Sequence, residues 1–287
     1  MSATEKRATF SLASIYALRM LGLFLIMPVF ALYAEHLAGV TPLLVGLAIG
    51  IYGLTQALLQ IPFGLLSDRI GRKPVIIGGL ILFAIGSVVA AMSESITGVI
   101  IGRALQGSGA IAAAVMALVA DSTRESSRTK AMALIGMSIG LAFMIALVAG
   151  PILYKSISVP GMFWMTAALA VAGVLVVLFV VPTPGHQAVH RDAEVVSGQI
   201  RRVLGNIDLL RLDVGIFVLH SIMTALFLAY PLLLRDMGGI ASEDHWTVYL
   251  PVLVLSIVIM VPFIIMAEKK GKVKQVFLLA IMALALG

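Results

Sequence analysis

The chain has no cysteine. Disulfide frameworks and thiolate metal centres are therefore excluded. Charge is also scarce: 12% of residues are Asp, Glu, Lys or Arg, where a soluble domain carries about 25%. No G-x-x-x-x-G-K-[ST] loop occurs, so nothing in the sequence cradles ATP phosphates. No nucleophile–base pair or cluster of metal ligands has the spacing of an enzyme site, and no enzymatic activity, cofactor or metal is expected. His186 and His190 stand four apart, but they lie beside prolines and lack a third ligand.

What fills the chain is apolar residues, at 61%. They come in runs long enough to span a bilayer as helices, about 20 residues each. Nine runs can be marked, at about 10–33, 43–66, 74–93, 96–120, 131–154, 161–182, 211–234, 246–267 and 275–287. The first is full length and has no small-residue cleavage site where a signal peptide would carry one. The expectation is an all-α multi-pass membrane protein.

Lysine and arginine give the orientation. With the N-terminus inside, the outer loops hold only Lys155 and Arg235, while Arg19 and Arg103 fall within apolar runs. The remaining cations, from Lys6 and Arg7 to Lys272 and Lys274, all lie on the inner side. The positive-inside rule then places the N-terminus in the cytosol. The net charge of +6 is a topology signal and does not point to nucleic acid.

The chain divides at its longest connection. Residues 1–182 hold six runs, 183–210 form a cytosolic linker, and 211–287 hold the rest. Ile200 to Leu204 with Leu209-Leu210 suggest a short amphipathic piece on the inner surface. An internal repeat links the two sets. Ile61-Pro62-Phe63 followed by Ser67-Asp68-Arg69-Ile70-Gly71-Arg72 recurs as Val261-Pro262-Phe263 followed by Ala267-Glu268-Lys269-Lys270-Gly271-Lys272. Charge signs, proline and glycine are all kept, which favours duplication. A six-helix unit repeated in this way predicts about twelve helices in about 390 residues. The expectation is a chain truncated inside its ninth run.

The connection Gly64-Leu65-Leu66-Ser67-Asp68-Arg69-Ile70-Gly71-Arg72-Lys73 concentrates charge between two apolar runs, so it marks a membrane boundary. Gly64 removes a side chain where the second helix meets a neighbour, and Gly71 permits a turn at positive φ. Asp68 can accept from a helix N-terminus. Arg69 and Arg72 can bridge to carboxylates at the same depth, and Asp121 is the best candidate. A plain positive-inside anchor with a neutralising aspartate is the bland alternative.

This loop resembles the signature between helices two and three of the major facilitator superfamily. Arg103-Ala104-Leu105-Gln106-Gly107-Ser108-Gly109 is similar to the R-x-x-Q-G-x-G of that family's fourth helix. Gly150-Pro151 falls in the fifth, where its drug–proton antiporters carry a glycine-rich motif; Ala146 and Tyr154 stand where that motif has further glycines. The resemblance implies a six-helix N-terminal bundle with a partial second bundle. It also implies that Gly64, Asp68, Arg69, Gly71, Arg72 and Asp121 form a latch between the halves, with Asp68 engaging a helix of the second half.

Charges at membrane depth are the other candidates. Arg103 lies about 10 Å deep and either faces the bundle with Gln106 on the same side or snorkels outward. The resemblance gives it a role in proton coupling. Arg19 lies near mid-depth with Tyr16 one turn before it and is expected to line the cavity or serve coupling. No carboxylate occurs inside the first six helices, so His220 is the remaining proton carrier, or else a bland hydrogen-bonded histidine. Tyr16, Phe24, Tyr52, Gln56, Gln60, Phe227 and Tyr230 are candidate walls of the substrate cavity, and helix packing alone is the alternative for each.

The function expected is proton-coupled efflux of small lipophilic or drug-like compounds by a monomer in a bacterial inner membrane. Its partners are the substrate, protons and lipid. Proton-coupled uptake of a metabolite and an inactive truncated fragment are the competing readings. Because the chain is free of cysteine, single thiols report its topology cleanly. His36→Cys should react with an impermeant maleimide in intact cells, and Thr129→Cys only after permeabilisation. The reverse pattern would invert the orientation.

Overall fold

The structure, a computed structural model, describes residues 1–182, 205–269 and 271–286. The linker element at Ile200–Leu204 and the pair His186 and His190 lie outside the described residues. Among the described residues, extended structure is confined to an isolated bridge between Ala38 and Ser95, and the rest is helix and turn.

Helix α1 (Ala3–Ala34) starts at a capping box in which Ser2 Oγ accepts from Glu5 N and Glu5 Oε2 accepts from Ser2 N. Helix α2 (Pro42–Ile70) is capped by Thr41 and has proline at its first position, where no donor is lost. Gly71 then turns the chain into α3 (Arg72–Ala91) with φ 99°. Ser95 caps α4 (Ile96–Ser108), and a short break separates it from α5 (Ala112–Ser122). Helix α6 is a run of 55 residues, Glu125–Phe179. Unbroken, it would be about 80 Å long, far more than the about 30 Å of a bilayer core. It bends at Ser158, where φ is 55° and ψ is 178°. Both of its ends lie beside the start of α1: Glu5 binds Arg124, and Arg7 Nε donates to the Val180 carbonyl. The run is thus two limbs, 125–157 and 159–179, joined by a tight reversal. Asn206 caps α7 (Ile207–Asp236), a short 3-10 turn Ser242–Asp244 follows, and α8 (Trp246–Lys269) and α9 (Val273–Leu286) complete the described chain.

The helix ends fall on two rims. The near rim carries the N-terminus, Gly71 and the 122–125 connection. The far rim carries the 35–41 and 92–95 connections and the Ser158 reversal. Between the rims, α1 packs along α6 and against α5 and α7, while α3 packs on α6 and α4. Leu25, Val29, Phe30, Ile96, Val99, Ala146, Val159 and Phe163 form the core toward the far rim, and Leu12, Ile15, Ile76, Leu80, Val115, Leu118 and Ile135 form it toward the near rim. Outward faces are apolar and uncovered, as with Leu43, Leu54, Leu58 and Ile61 on α2. A surface of that kind is matched to lipid. Among the described residues, seven stretches are long and apolar enough to cross a bilayer, with the 55-residue run counted once, and Val273–Ala283 is a shorter apolar helix.

Three differences from expectation have local causes. The fourth run is broken at Gly109–Ile111 because α3 passes so close that Gly109 and Gly79 sit backbone to backbone. The fifth and sixth runs join without a loop, since Ser158 reverses the chain in a single residue. The linker boundary at 210 is too late, because Asn206 already caps α7. The repeat is visible in the backbone. Pro62 and Pro262 both lie inside helices, and Gly71 and Gly271 both turn at positive φ, 99° and 63°.

Gly150 is a point of close approach. A Cβ there would lie 2.5 Å from the Leu25 carbonyl oxygen and 2.9 Å from Pro28 Cγ. Gly150→Leu should therefore force α1 and α6 apart and cost about 1–3 kcal/mol. Its midpoint in detergent thermal unfolding should fall well below that of Gly136→Leu, where a Cβ meets nothing within 4 Å.

Candidate functional site

At the near rim, Arg72 gathers the ends of three helices. Its Nη1 is ion-paired with Asp68 in the last turn of α2 and donates to Ser67 Oγ at 2.7 Å. Its Nε lies 3.3 Å from Asp121 Oδ2 at the end of α5. Ser67 in turn donates to the Gly64 carbonyl at 2.7 Å. Gly64 packs against Ala113 of α5, with only 3.3 Å for an added Cβ. Asp121 is nearly covered, while Asp68 is 38% exposed and faces outward. Gln60, Gly64, Asp68, Arg72, Ala113 and Ala117 all line one groove of about 280 Å³ on this rim.

A second tie stands beside it. Glu5 Oε1 accepts from both the backbone and Nε of Arg124, at 3.0 and 2.9 Å, and Oε2 accepts from Nη2 at 3.2 Å. These bonds raise the Arg124 guanidinium above its ordinary pKa, so it stays charged. Lys73 Nζ donates to the Val181 carbonyl at 2.6 Å.

In the membrane interior two guanidiniums flank one ring. Arg103 Nε donates to the Ala48 carbonyl at 3.2 Å, and its Nη1 donates to Gln106 Oε1 at 3.0 Å. Gln106 Nε2 donates to Ser87 Oγ at 2.7 Å, and Ser87 donates to the Phe83 carbonyl. Arg19 is 1% exposed. Its Nη2 donates to the Gly109 carbonyl at 3.0 Å and to Gln56 Oε1 at 3.3 Å. Its Cζ lies 5.3 Å from the centre of the Phe83 ring and 5.9 Å from that of Tyr52, while Arg103 lies 4.9 Å from Tyr52 on its own account. Each contact of this kind contributes about 0.5–2 kcal/mol. Neither arginine is in an ion pair with a described residue.

An aromatic row crosses from the first bundle to the second. Phe24 of α1 meets Phe143 of α6 edge to face at 5.1 Å, and Phe143 meets Phe227 of α7 at 6.0 Å. At the far rim Arg235 Nη1 lies 2.5 Å from Glu35 Oε2, and its Nε lies 2.7 Å from Asp236. Glu35 and Arg235 end α1 and α7, and they are 200 positions apart, like the two copies of the charged loop.

The structure thus brings Gly64, Asp68, Gly71, Arg72 and Asp121 into one cluster. Arg69 is outside it: its side chain points to solvent and makes no ion pair with a described residue. Among the described residues Asp68 is bound by the Arg72 side chain, in the final turn of α2. Arg103 faces the bundle with Gln106, so it does not snorkel. Tyr16 is buried in the near-rim core, and Tyr52 between the arginines. Gln56 serves Arg19, and Gln60 belongs to the rim groove. Gly150 and Pro151 are buried against α1. His220 and Tyr230 sit on exposed parts of α7, with His220 Nδ1 2.9 Å from the carbonyl of Ile216 one turn before it. Ser87, Phe83, Phe143, Glu5 and the Glu35–Arg235 pair were not singled out from sequence. Only the last pair carried a signal, the repeat spacing.

A rim of paired charge, a buried polar layer and an apolar exterior define a multi-pass membrane protein. The profile described as Major Facilitator Superfamily matches residues 12–287, and the chain belongs to that family. It is 52% identical over 281 residues to the inner membrane transport protein YajR of Escherichia coli K12, covering 98% of this chain and 62% of that protein. It is 38% identical over 256 residues to an uncharacterized transporter of Buchnera aphidicola from Schizaphis graminum, covering 89% and 65%. The chain thus spans about three fifths to two thirds of the length of these relatives. Among solved structures, a bacterial homolog of the human lysosomal transporter Spinster, inward-facing and occupied, superposes with a TM-score of 0.69 at 17% identity, covering 85% of this chain and 57% of that one. That likeness concerns the fold.

The polar layer makes a direct prediction. Gln106→Leu leaves Arg103 Nη1 without its acceptor in a buried site, which costs about 1–3 kcal/mol. Thermal unfolding should show that loss, and an unchanged midpoint would mean that Gln106 does not hold Arg103.

Proposed function

We propose that this chain works in a secondary active transporter that exports small lipophilic, drug-like compounds from the cytosol of a bacterium, driven by protons entering in exchange. It acts as a monomer in the inner membrane, with the near rim cytosolic. The observation that carries this reading is the Arg72 cluster, a charged joint of three helix ends at one membrane face. The distribution of Lys and Arg supports its cytosolic side. Inward-moving protons gain about 2.3 kcal/mol per charge for each 100 mV, enough to drive uphill export.

The mechanism is alternation between two closures. At the far rim Glu35 and Arg235 join α1 to α7, and Leu228 packs on the first bundle's core. On the near side, α7 from Ile207 to Met223 is uncovered. Opening outward requires the far-rim pair to part and the near rim to close. Asp68, with exposure to spare beside Arg72, is the group placed to engage the second bundle then. Arg103 with Gln106 and Arg19 supply fixed positive charge near the proton path, and His220 on α7 is the proposed carrier. The Gly150–Pro151 contact with α1 gives the antiporter-like hinge between α6 and α1.

Inside-out vesicles with an acidified lumen test this. Ethidium, naphthalenesulfonate and uncharged naphthalenesulfonamide are offered separately. At least one should accumulate in the lumen only while the gradient lasts. At equal expression Asp68→Asn should slow that movement by about fivefold or more. No gradient-dependent movement of any probe, or an unchanged rate in Asp68→Asn, overturns the proposal.

A further inference from the structure

Arg19 presents an imbalance that its role as fixed positive charge does not explain. A cation at mid-depth costs about 2.5–3.5 kcal/mol on insertion scales. A carboxylate is its usual answer, and none lies at this level of the first bundle. The acidic residues of helices α1 to α6 are Glu5, Asp68, Asp121 and Glu125, all at the near rim. Only Nη2 of Arg19 is bonded. Nε and Nη1 are buried without a partner, and so is the Tyr52 hydroxyl. A guanidinium can only donate, and a hydroxyl donates readily. Three buried donors on Arg19 and Tyr52 are therefore unmet, beside a fixed positive charge.

The neighbouring groups say what would meet them. Gln56 Oε1 reaches Arg19 at 3.3 Å, a long bond from a partly buried amide on α2. It stands in for an acceptor that a stronger one can displace. Phe24, five positions along α1, packs on the cluster that contains Tyr52 and Phe83. From Phe24 the aromatic row continues through Phe143 to Phe227. Donors at one end and an apolar track at the other fit a molecule with an anionic head and a hydrophobic body.

We infer that Arg19 and Tyr52 bind the oxyanion head of an amphipathic organic anion, with the Phe24–Phe143–Phe227 row seating its apolar part. This rests on the transport reading and narrows its substrate class from drug-like compounds in general to anions. Gln56 is the gate residue that leaves Arg19 when the anion arrives.

The test is equilibrium binding to the 287-residue chain in lipid nanodiscs. Naphthalenesulfonate, naphthalenesulfonamide, naphthylmethylammonium and inorganic sulfate are the probes. Naphthalenesulfonate should bind about tenfold or more tightly than the other three. Arg19→Gln should remove that preference, and Tyr52→Phe should reduce it severalfold. Gln56→Glu supplies an internal carboxylate to Arg19, so it should raise the unfolding midpoint and abolish sulfonate binding. This variant decides the matter if Arg19→Gln does not fold. Equal binding of sulfonate and sulfonamide overturns the inference, as does full sulfonate affinity in Gln56→Glu. Sulfate binding as tightly as the sulfonate overturns the amphipathic class. Gradient-driven ethidium movement without sulfonate binding sinks this inference and leaves the transport reading. Sulfonate binding without gradient-driven movement of any probe does the opposite.

Discussion

A guanidinium held in a low-dielectric slab must be met by lone pairs or π faces, and the arrangement of this fold follows from that demand. Three arginines meet it in three ways. Arg72 at the near rim is answered by two carboxylates. Arg103 is answered by a backbone carbonyl and an amide that is itself fixed by Ser87. Arg19 is answered in part, by the Gly109 carbonyl, Gln56 and two rings. The break in the fourth span serves this purpose. It ends α4 at Ser108 and turns the carbonyl of Gly109 to accept from both Ile111 N and Arg19, at a place where the small residue also lets α3 come close.

Depth separates what is permanent from what can move. Exposed ion pairs are worth about 0–1 kcal/mol, since water competes for both partners. Glu35–Arg235 and Asp68–Arg72 are of this kind and can exchange partners on a transport timescale. The Arg103–Gln106–Ser87 chain is fully covered, so breaking it leaves charge unpaired. A rigid polar layer inside the first bundle, with labile pairs at both rims, gives a body that rocks without deforming. Tyr52 belongs to the rigid layer, and its ring is shared by both deep arginines.

The spans and their approximate ends were legible because a bilayer imposes a length on apolar runs. Asp121 was legible as the partner of Arg72 because charge at a common depth has few options. The repeat was legible because proline and glycine mark backbone geometry, and Gly71 and Gly271 do turn at positive φ. The partners of Arg19 were not legible. One is a main-chain carbonyl at a helix break created by packing against Gly79, and carbonyls have no sequence signature. The Glu5–Arg124 tie spans 119 residues, and either residue alone looks like ordinary rim charge. The tightness of the turn between the fifth and sixth runs was not legible: Pro160 fits the first turn of a new helix limb, so one residue, Ser158, suffices for the reversal. Arg69 was grouped with Arg72 by motif, but their order around the turn sends one inward and the other to solvent.

The account turns on the coupling of Arg72 to Asp121, the joint that holds α3 to α5 and presents Asp68 at the rim. A double-mutant cycle measures it directly, with Arg72→Met, Asp121→Asn and the pair compared by equilibrium unfolding in one detergent. Largely covered partners at 3.3 Å should give a coupling of about 1–3 kcal/mol, with the double variant less destabilised than the sum of the singles. Strict additivity would show that the two groups do not hold each other, and would contradict the account.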